Sequence, residues 1–288
     1  MALSIQSNMA SMSIQNQLGR SNNDLSTALE RLGSGFKINS AKDDAAGLQI
    51  ASRLNAQVKG QEAGLYNGAN AMSMMQTAEG AFDEMTNIAF RMKELATQGA
   101  SDANGDKEWA AQSAEYIALT SELDSIMKNT TFGGTALLEG ATSKFAAAAG
   151  VKFQVGSSDA ETLTVNIAAS LDATTGVAKN IDDIQGLTTG GFASVGEAQA
   201  HLAEIDKLIA GVGTARSSLG ASMNRLEHTM TNVTNMKENT QAAASTLMDA
   251  DFAAETSNMT KQQLLMNSGI SVLSTANSTT QMIGSLLR

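Results

Sequence analysis

Apolar residues recur at alternating steps of three and four along the segment from Val195 to Val233. A repeat of this kind, sustained over more than five heptads, predicts a long helix with a narrow apolar edge packed against other helices. Arg216 is the one break in the repeat, so we expect this side chain to contact a neighbouring molecule rather than a core. The repeat consists of Val195, Ala198, Leu202, Ile205, Ile209, Val212, Arg216, Leu219, Met223, Leu226, Met230 and Val233.

Both ends of the chain carry similar apolar stripes at helical spacing. One molecule cannot easily bury so many long stripes, so the pattern indicates assembly before catalysis. The N-terminal stripe is Ile5, Met9, Met12, Ile14, Leu18, Leu25, Leu29, Leu32 and Phe36, and the C-terminal stripe is Phe252, Met259, Met266, Ile270, Leu273, Ala276, Ile283 and Leu286.

A long helix is predicted after the N-terminal stripe, from Asp44 to Gln98. The segment 40–43 reads Ser-Ala-Lys-Asp and predicts a capping box that starts this helix. At 1.5 Å per residue the helix would span roughly 80 Å, which favours a rod-shaped molecule. Four glycines lower the helix propensity along it, namely Gly60, Gly64, Gly68 and Gly80.

The middle of the chain predicts a shorter helix and a small β region. The helix runs from Lys107 to Asn129. Alternating apolar residues at 151–155 and 162–167, separated by Gly-Ser-Ser-Asp, predict a β-hairpin. Residues 170–193 are rich in Thr, Gly and Asp and predict an irregular segment.

Composition agrees with long helices. The 288 residues include no proline, which breaks helix interiors, and no cysteine, and aromatic residues make up only 4%. Leu, Met, Ile, Val and Ala must therefore fill the interior, which suits contacts between helices. We predict a mainly α fold: an elongated rod of long antiparallel helices, similar to a coiled-coil bundle, with a small β-hairpin region.

The net charge of −10 is unevenly distributed. Residues 61–248 carry 22 acidic and 11 basic side chains, whereas the two ends are nearly neutral. An acidic surface disfavours nucleic acid, which needs a basic patch. Unless the partition arises by chance, near-neutral ends can become buried in an assembly at little electrostatic cost. No segment is long and apolar enough to predict insertion into a membrane, and the N-terminus does not resemble a Sec-type signal peptide.

The sequence offers little chemistry. His201 and His228 stand 27 residues apart and are predicted to be polar residues on a helix face. The carboxylate pairs at 43–44 and 182–183 are better explained as helix-start charges and as a polar loop than as an acid–base pair. No phosphate-binding glycine motif is present. We therefore predict no enzyme activity and no cofactor or metal.

Two segments resemble one known family. Residues 31–47, RLGSGFKINSAKDDAAG, are similar to the N-terminal signature of the bacterial flagellins, with departures at Gly33, Phe36 and Lys37. The tail from Asp249, through SNM at 257–259 and GISVL at 269–273 to the final LLR, is similar to the flagellin C-terminus. The resemblance covers roughly the first 140 and the last 100 residues.

The resemblance implies a domain arrangement. Residues 1–44 and 250–288 would pair as a terminal coiled coil lining the inner tube of a filament. Residues 45–249 would form an outer helical rod with a β-hairpin near 140–170. The stretch between Ala141 and Ala193 is too short for a large variable domain, which suggests a minimal flagellin, with the lateral type as one candidate.

The resemblance also implies function and location. The chain would be a structural subunit that self-assembles into the bacterial flagellar filament used for swimming or swarming. It would lie outside the cell, after export without a cleaved signal peptide. We expect the self-assembly residues to be Ile5, Leu18, Leu25, Leu29, Leu32, Phe252, Met259, Met266, Ile270, Leu273, Ile283 and Leu286.

Several partners follow from the resemblance. They are further copies of the chain, the flagellar cap and hook-associated proteins, an export chaperone at the C-terminal end, and a host Toll-like receptor. The residues that match the receptor motif are Arg91, Glu94, Leu95, Gln98 and Glu115, with departures at Phe90 and Lys93.

Two other classes remain open. A junction protein of the same export apparatus, such as a hook–filament connector, would share amphipathic ends but not both end signatures. An enzyme built on a helical scaffold would need a catalytic constellation that the sequence lacks. Under the flagellin hypothesis, the Val195–Val233 repeat packs within the subunit against the helix from Asp44 to Gln98, and the end stripes remain for neighbouring subunits.

Overall fold

The computed structural model describes residues 8–139, 143–172, 175–188, 192 and 194–286. Long helices dominate, which confirms the predicted mainly α fold. None of the helices within these ranges is long and apolar enough to cross a membrane. The helices are α1 (Met9–Ser34), α2 (Ala45–Gly99), α3 (Asp106–Asn129), α4 (Ala168–Leu171), α5 (Val177–Thr188), α6 (Val195–Met248) and α7 (Phe252–Leu286). The strands are β1 (Thr131–Phe132), β2 (Thr135–Ala136), β3 (Val151–Gln154) and β4 (Thr162–Val165).

The chain divides into two compact units. The terminal unit is formed by the described residues up to Ala56 and from Asn239, and the central unit is Gln57–Glu238. These boundaries fall inside α2 and α6, whereas the predicted domain division at residues 44 and 249 follows the breaks between helices. That domain assignment stays a prediction.

In the terminal unit, α1 and α7 pair in antiparallel orientation. Asn8 Nδ2 donates to the carbonyl oxygen of Ala276 at 3.1 Å, and Arg31 Nη1 donates to Glu255 Oε1 at 2.9 Å. Residues near the start of α1 therefore face the end of α7, and those near its end face the start of α7. The predicted pairing of the N- and C-terminal helices is confirmed.

The start of α2 differs from the prediction. The capping box expected at residues 40–43 is wrong, because Asp44 is the residue that caps α2, accepting from the backbone N–H of Gly47 at 2.9 Å. The Asp43 carboxylate instead closes a turn before the helix by accepting from the backbone N–H groups of Ser40 and Asn39. The hydrogen bond from the Ser40 backbone lowers the pKa of Asp43, with the Ser40 hydroxyl adding to the effect.

In the central unit, α2 and α6 run antiparallel, as Lys93–Asp206 and Arg216–Asp83 ion pairs at 2.5 and 3.0 Å indicate. The predicted packing of the α6 repeat against α2 is therefore present. The register of α6 differs from the prediction at three positions. The core residues there are His201, Leu208 and Ala215, each one residue before the predicted position. The buried positions are Ala198, His201, Ile205, Leu208, Val212, Ala215, Leu219, Leu226 and Val233, while Leu202, Ile209, Met223 and Met230 are only partly buried.

This register explains Arg216. The core position is Ala215, so Arg216 lies at the edge of the helix contact and reaches Asp83 and, at 4.0 Å, Glu79 of α2. Arg216 thus makes ion pairs within the central unit, and its expected contact with a neighbouring molecule stays a prediction.

His201 also differs from the prediction. It is not a polar surface residue but is 1% exposed, between the rings of Tyr116 and Phe192 with centroids 4.9 and 5.2 Å away. Burial lowers the pKa of His201, although Glu197 opposes the effect, and burial raises the pKa of Tyr116. A neutral imidazole can pack edge-on against aromatic rings, which the polar character of histidine conceals in a sequence pattern. His228 is exposed, as predicted.

Between α3 and α6 the predicted hairpin is confirmed, since β3 and β4 pair antiparallel with Val151 opposite Val165. The smaller pair of β1 and β2 turns through Gly133 and Gly134, both at positive φ. The prediction of an irregular 170–193 is wrong for α5. Val177, Ile181 and Ile184 are buried at a helical spacing that the Thr- and Gly-rich surroundings concealed.

The glycines of α2 permit a close contact with the hairpin. The helix continues through Gly64, where a Cβ would meet the carbonyl oxygen of Val155 at 2.5 Å. At Gly60 a Cβ would meet the Cβ of Ser157 at 2.6 Å. These glycines lower the helix propensity of α2, but they allow the end of β3 and the following turn to pack closely against it.

We predict that Gly64→Ala lowers the free energy of unfolding by about 1–3 kcal/mol, because the backbone of Val155 cannot yield to the new methyl group. Urea titration followed by circular dichroism measures the change. Gly80→Ala is the matched control, since Gly80 lies in the same helix with nothing within 4 Å of its Cβ position. That substitution should raise stability by about 0.5–1 kcal/mol. Equal effects of the two substitutions would contradict the packing argument.

Candidate functional site

The terminal unit buries few large apolar side chains. The main core cluster of the described residues lies wholly in the central unit, between Ala71 and Leu226. In the terminal unit the buried positions are mostly small or polar, namely Ser11, Ser21, Ala28, Ile38, Ala51, Ala244 and Glu255. Small residues at a helix contact let two backbones approach closely, but they remove little apolar area from water.

Large apolar side chains of the terminal unit are exposed to solvent, mostly on α1 and α7. Most of the exposed large apolar residues described for the whole chain belong to the terminal unit. They are Met9, Met12 and Leu29 on α1, Phe36 in the following loop, Ile50 on α2, and Phe252, Leu264, Leu265, Ile270, Val272 and Met282 on α7. A soluble monomer rarely leaves such a set exposed, so these faces are the candidate interaction surface of the chain.

The expected self-assembly residues divide between two environments. Leu29, Phe252 and Ile270 are exposed. Leu18, Leu25, Leu32, Met259, Met266 and Leu273 are half-buried. Ile5 lies outside the described residues, as do the side chains of Ile283 and Leu286. The stripes thus pack partly within the pair and partly face outward.

Sequence reasoning missed Leu264, Leu265 and Val272, which lie on α7 beside the predicted stripe. The only signal was the doubled leucine at 264–265, which widens the apolar face beyond a single line of residues. The exposed face of α7 is therefore broader than the predicted stripe.

A shallow apolar groove of about 210 Å³ lies between α1 and α7. Leu18 packs directly over Gly269, where a Cβ would meet Leu18 Cδ2 at 2.7 Å. The groove is lined by Ile14, Gln17, Leu18, Ser21, Leu265, Ser268, Gly269 and Val272. Its mixture of apolar walls and small polar residues can accept side chains of another helix.

One ion pair ties the two helices at their other end. Arg31 at the end of α1 contacts Glu255 in the first turn of α7, and the Glu255 side chain is only 11% exposed. A carboxylate in a first helical turn is also stabilised by the N-terminal end of the helix dipole. This ion pair therefore joins the end of α1 to the start of α7.

A charged surface network connects most of the residues that match the receptor motif. Arg91 contacts Glu94 at 2.6 Å and Glu115 of α3 at 2.9 Å, and Gln98 donates to Glu94 at 3.4 Å. These four side chains are exposed, and the hydrogen bond to Glu94, followed by that to Glu115, raises the pKa of Arg91. Leu95 differs, since it is 2% exposed and packs in the core of the central unit.

The candidate chemical groups are engaged in structural contacts. Asp43 and Asp44 bind backbone N–H groups, and Asp183 pairs with Lys179. Within the described ranges, no group of His, Asp and Glu side chains is arranged to hold a metal ion.

Comparison with known proteins identifies the family. Residues 5–143 match the model of the bacterial flagellin N-terminal helical region, and residues 202–287 match that of the bacterial flagellin C-terminal helical region. A flagellin of Listeria monocytogenes is 34% identical over 289 residues that cover 99% of both chains. The chain belongs to the flagellin family.

Other relatives agree with this assignment. Flagellin D of Vibrio cholerae is 33% identical over 371 residues, which cover 96% of this chain and 97% of the relative. That alignment is longer than the 288 residues of this chain, so the Vibrio flagellin carries additional segments. A solved structure from Vibrio parahaemolyticus, titled as a flagellar hook-associated protein, has a TM-score of 0.59, covers 72% of this chain and 99% of that one, and is 17% identical. At that identity the likeness concerns the fold alone.

Family membership decides among the three hypotheses. A flagellin is a structural subunit that self-assembles into the flagellar filament for motility, and the homologues of this chain form that extracellular filament. Proteins of this family are structural rather than enzymes, which confirms the expectation from the sequence. The hook–filament connector hypothesis is not supported, because the matches to both flagellin end regions occur together.

We predict that Glu255→Ala loosens the α1–α7 pair, because Arg31 would lose its partner at a largely buried position. Loss of a charged hydrogen bond of this kind costs about 1.5–3 kcal/mol. Hydrogen exchange should accelerate by about tenfold or more in α1 and α7, since each tenfold corresponds to about 1.4 kcal/mol. Glu30→Ala, at the exposed neighbouring position, should leave exchange unchanged. Similar exchange in the two variants would argue against the anchoring role of Arg31–Glu255.

Proposed function

We propose that the outward faces of α1 and α7 are the surfaces through which flagellin subunits join one another. The observation that carries this proposal is the contrast within the terminal unit: its buried contact is built from small residues, while Leu29, Phe252, Leu264 and Ile270 face solvent. The expected self-assembly residues thereby acquire two roles. The half-buried members hold the pair together, and the exposed members bind neighbours.

The energetics favour this arrangement. Full burial of one large aliphatic or aromatic side chain contributes about 1.5–3 kcal/mol. Contact among several such side chains can therefore offset the entropy lost when a subunit is immobilised in a filament. The near-neutral charge of the chain ends keeps electrostatic repulsion between neighbouring terminal units small.

Other flagellar partners would use the same surface before or at the end of assembly. We propose that an export chaperone covers the exposed face of α7, where Leu264, Leu265, Ile270 and Val272 would otherwise meet water. The flagellar cap and hook-associated proteins would contact the terminal unit of the first or last subunits. Residues 1–44 and 250–288 would together form the inner coiled coil of the filament, with 45–249 outside it.

We further propose that the subunit reaches the filament by export without cleavage of a signal peptide. The N-terminal apolar stripe then belongs to the mature assembly surface, because α1 pairs with α7 from Asn8 onward. The mass of the subunit recovered from filaments tests this directly, since removal of an N-terminal segment would leave a shorter chain.

We predict that the double substitution Leu264→Ser and Ile270→Ser raises the critical concentration for seeded filament growth more than about a hundredfold. The reason is the loss of two apolar contacts, each of about 1.5–3 kcal/mol. Electron microscopy and sedimentation of seeded protein measure the effect. The folded monomer should retain its circular dichroism, because both side chains are exposed in it.

Tyr66→Ser is the matched control, since it removes an exposed apolar side chain from the central unit. It should leave the critical concentration within about twofold, less than 0.5 kcal/mol. Deletion of residues 250–288 should abolish growth entirely while the central unit stays helical. Normal filaments from the deletion, or from the double variant, would contradict the proposal.

A host-receptor contact is a second proposed function. We propose that a Toll-like receptor binds the exposed network of Arg91, Glu94, Gln98 and Glu115. The network supports this because it joins motif residues from α2 and α3 on one polar surface. Leu95 would contribute indirectly, by fixing the position of α2 through its packing in the core.

We predict that Arg91→Ala lowers the potency of the monomer in a receptor reporter assay by about tenfold or more, as expected for a charged contact at an interface. Leu95→Ala is unsuitable because it would open a cavity in the core. Lys128→Ala is the matched control, since it breaks another exposed ion pair, with Asp124 on α3. If the potency of Arg91→Ala equalled that of Lys128→Ala, the receptor contact would lie elsewhere.

A further inference from the structure

The methionines of the chain divide by exposure between the two units. Met9, Met12 and Met282 are 68%, 53% and 60% exposed, and all three lie in the terminal unit. The methionines of the central unit are buried or half-buried, with Met75, Met85, Met92 and Met127 at 0% exposure. Met259 and Met266 on α7 are half-buried. Among the described residues, exposed methionine side chains are therefore confined to the terminal unit.

The three exposed methionines also lie at the same end of the α1–α7 pair. Asn8 donates to the carbonyl oxygen of Ala276 at 3.1 Å, so the start of α1 is level with residue 276 of α7. Met9 and Met12 follow Asn8 within one helical turn. Met282 is six residues beyond Ala276, about 9 Å further along the helix. All three methionines thus lie towards the chain-end side of the pair.

We propose that Met9, Met12 and Met282 form an oxidative modification site whose conversion to methionine sulfoxide by hydroperoxides prevents the free subunit from assembling. The thioether sulfur attacks one oxygen of hydrogen peroxide, so that the O–O bond breaks and an S–O bond forms. Sulfur is oxidised by two electrons, and the peroxide is reduced to water, which carries both protons. No other co-reactant is needed.

The effect on assembly rests on the proposed function of the terminal unit. A sulfoxide replaces a flexible apolar side chain with a polar one that holds water. Its burial against a neighbouring subunit would cost free energy where burial of the thioether contributes it. A subunit already in the filament would be protected, because the same contacts would cover the three methionines. Oxidation therefore acts on the subunit before assembly.

The methionines of the central unit provide an internal reference for the rate of oxidation. Those that are fully buried, such as Met75, Met85 and Met92, lie in the core, where peroxide gains access only when the unit opens. Mild oxidation should leave that core intact, so a loss of assembly would not arise from general unfolding. Circular dichroism of the oxidised protein verifies this condition.

The first experiment treats the full-length free subunit with hydrogen peroxide and follows sulfoxide at each methionine by peptide mass spectrometry. Met9, Met12 and Met282 should be oxidised at least about tenfold faster than Met75, Met85 and Met92, as expected from their access to solvent. In preformed filaments the three fast rates should fall towards the rates of the core methionines. Equal rates at exposed and buried methionines in the free subunit would overturn the site.

The second experiment measures seeded growth after mild oxidation. The wild-type protein should lose growth and recover it after treatment with methionine sulfoxide reductase. In a triple variant, Met9→Leu, Met12→Leu and Met282→Leu, the growth rate after peroxide should equal that variant's own rate before peroxide, whatever its basal value. Growth should remain sensitive in a matched control at half-buried positions of the central unit, Met72→Leu and Met223→Leu.

The outcomes separate this inference from the proposed function. Untreated protein that fails to grow on seeds would contradict the proposed assembly role of the terminal unit. Untreated protein that grows, together with oxidised protein that grows equally well, would overturn the oxidation site alone. A triple variant that remains as sensitive as the wild type would also overturn it.

Discussion

The buried part of the contact between α1 and α7 is made mostly by small residues, and this limits how much apolar surface the terminal unit removes from water. Ser11, Ser21 and Ala28 are buried at positions where a helix pair would otherwise place large apolar side chains, and Leu18 packs over Gly269. The two helices can therefore approach closely, but the pairing removes little apolar surface from water. The larger side chains are half-buried or face outward, and under the proposed function they would reach full burial only with neighbouring subunits.

The central unit differs from the terminal unit in the burial of its large apolar side chains. Its large apolar side chains are buried among themselves, and the end of β3 lies against Gly64 of α2 with no room for a side chain between them. Its surface carries most of the acidic residues, which favour contact with water. A folded central unit joined to an incompletely buried terminal unit suits a subunit that must remain soluble until it reaches a growing filament.

The sequence predicted the helices well because their stripes are long, but it could not determine which of two adjacent lines of residues faces the core. On α6, Ile209 is as apolar as Leu208, and Leu202 is more apolar than His201, so the sequence pattern allows two registers and favours the wrong one. His201 concealed the correct one, because a buried neutral imidazole looks polar in a pattern. In the terminal unit the predicted stripes include several exposed residues, but the buried serines of α1 gave no apolar signal. The exposed face of α7 is broader than the predicted stripe because it also includes Leu264, Leu265 and Val272.

The use of methionine at the chain-end side of the terminal unit carries both an advantage and a cost. An unbranched thioether adapts its shape to whatever surface meets it, which suits a face that contacts several different partners in turn. Leucine would pack as well against a single fixed neighbour and would resist oxidation. Met9, Met12 and Met282 lie at the chain-end side of the pair, while Leu264 and Leu265 lie nearer the middle of α7. If these methionines serve adaptable contacts, sensitivity to peroxide is the chemical consequence of that role, and it is confined to the period before neighbouring subunits cover them.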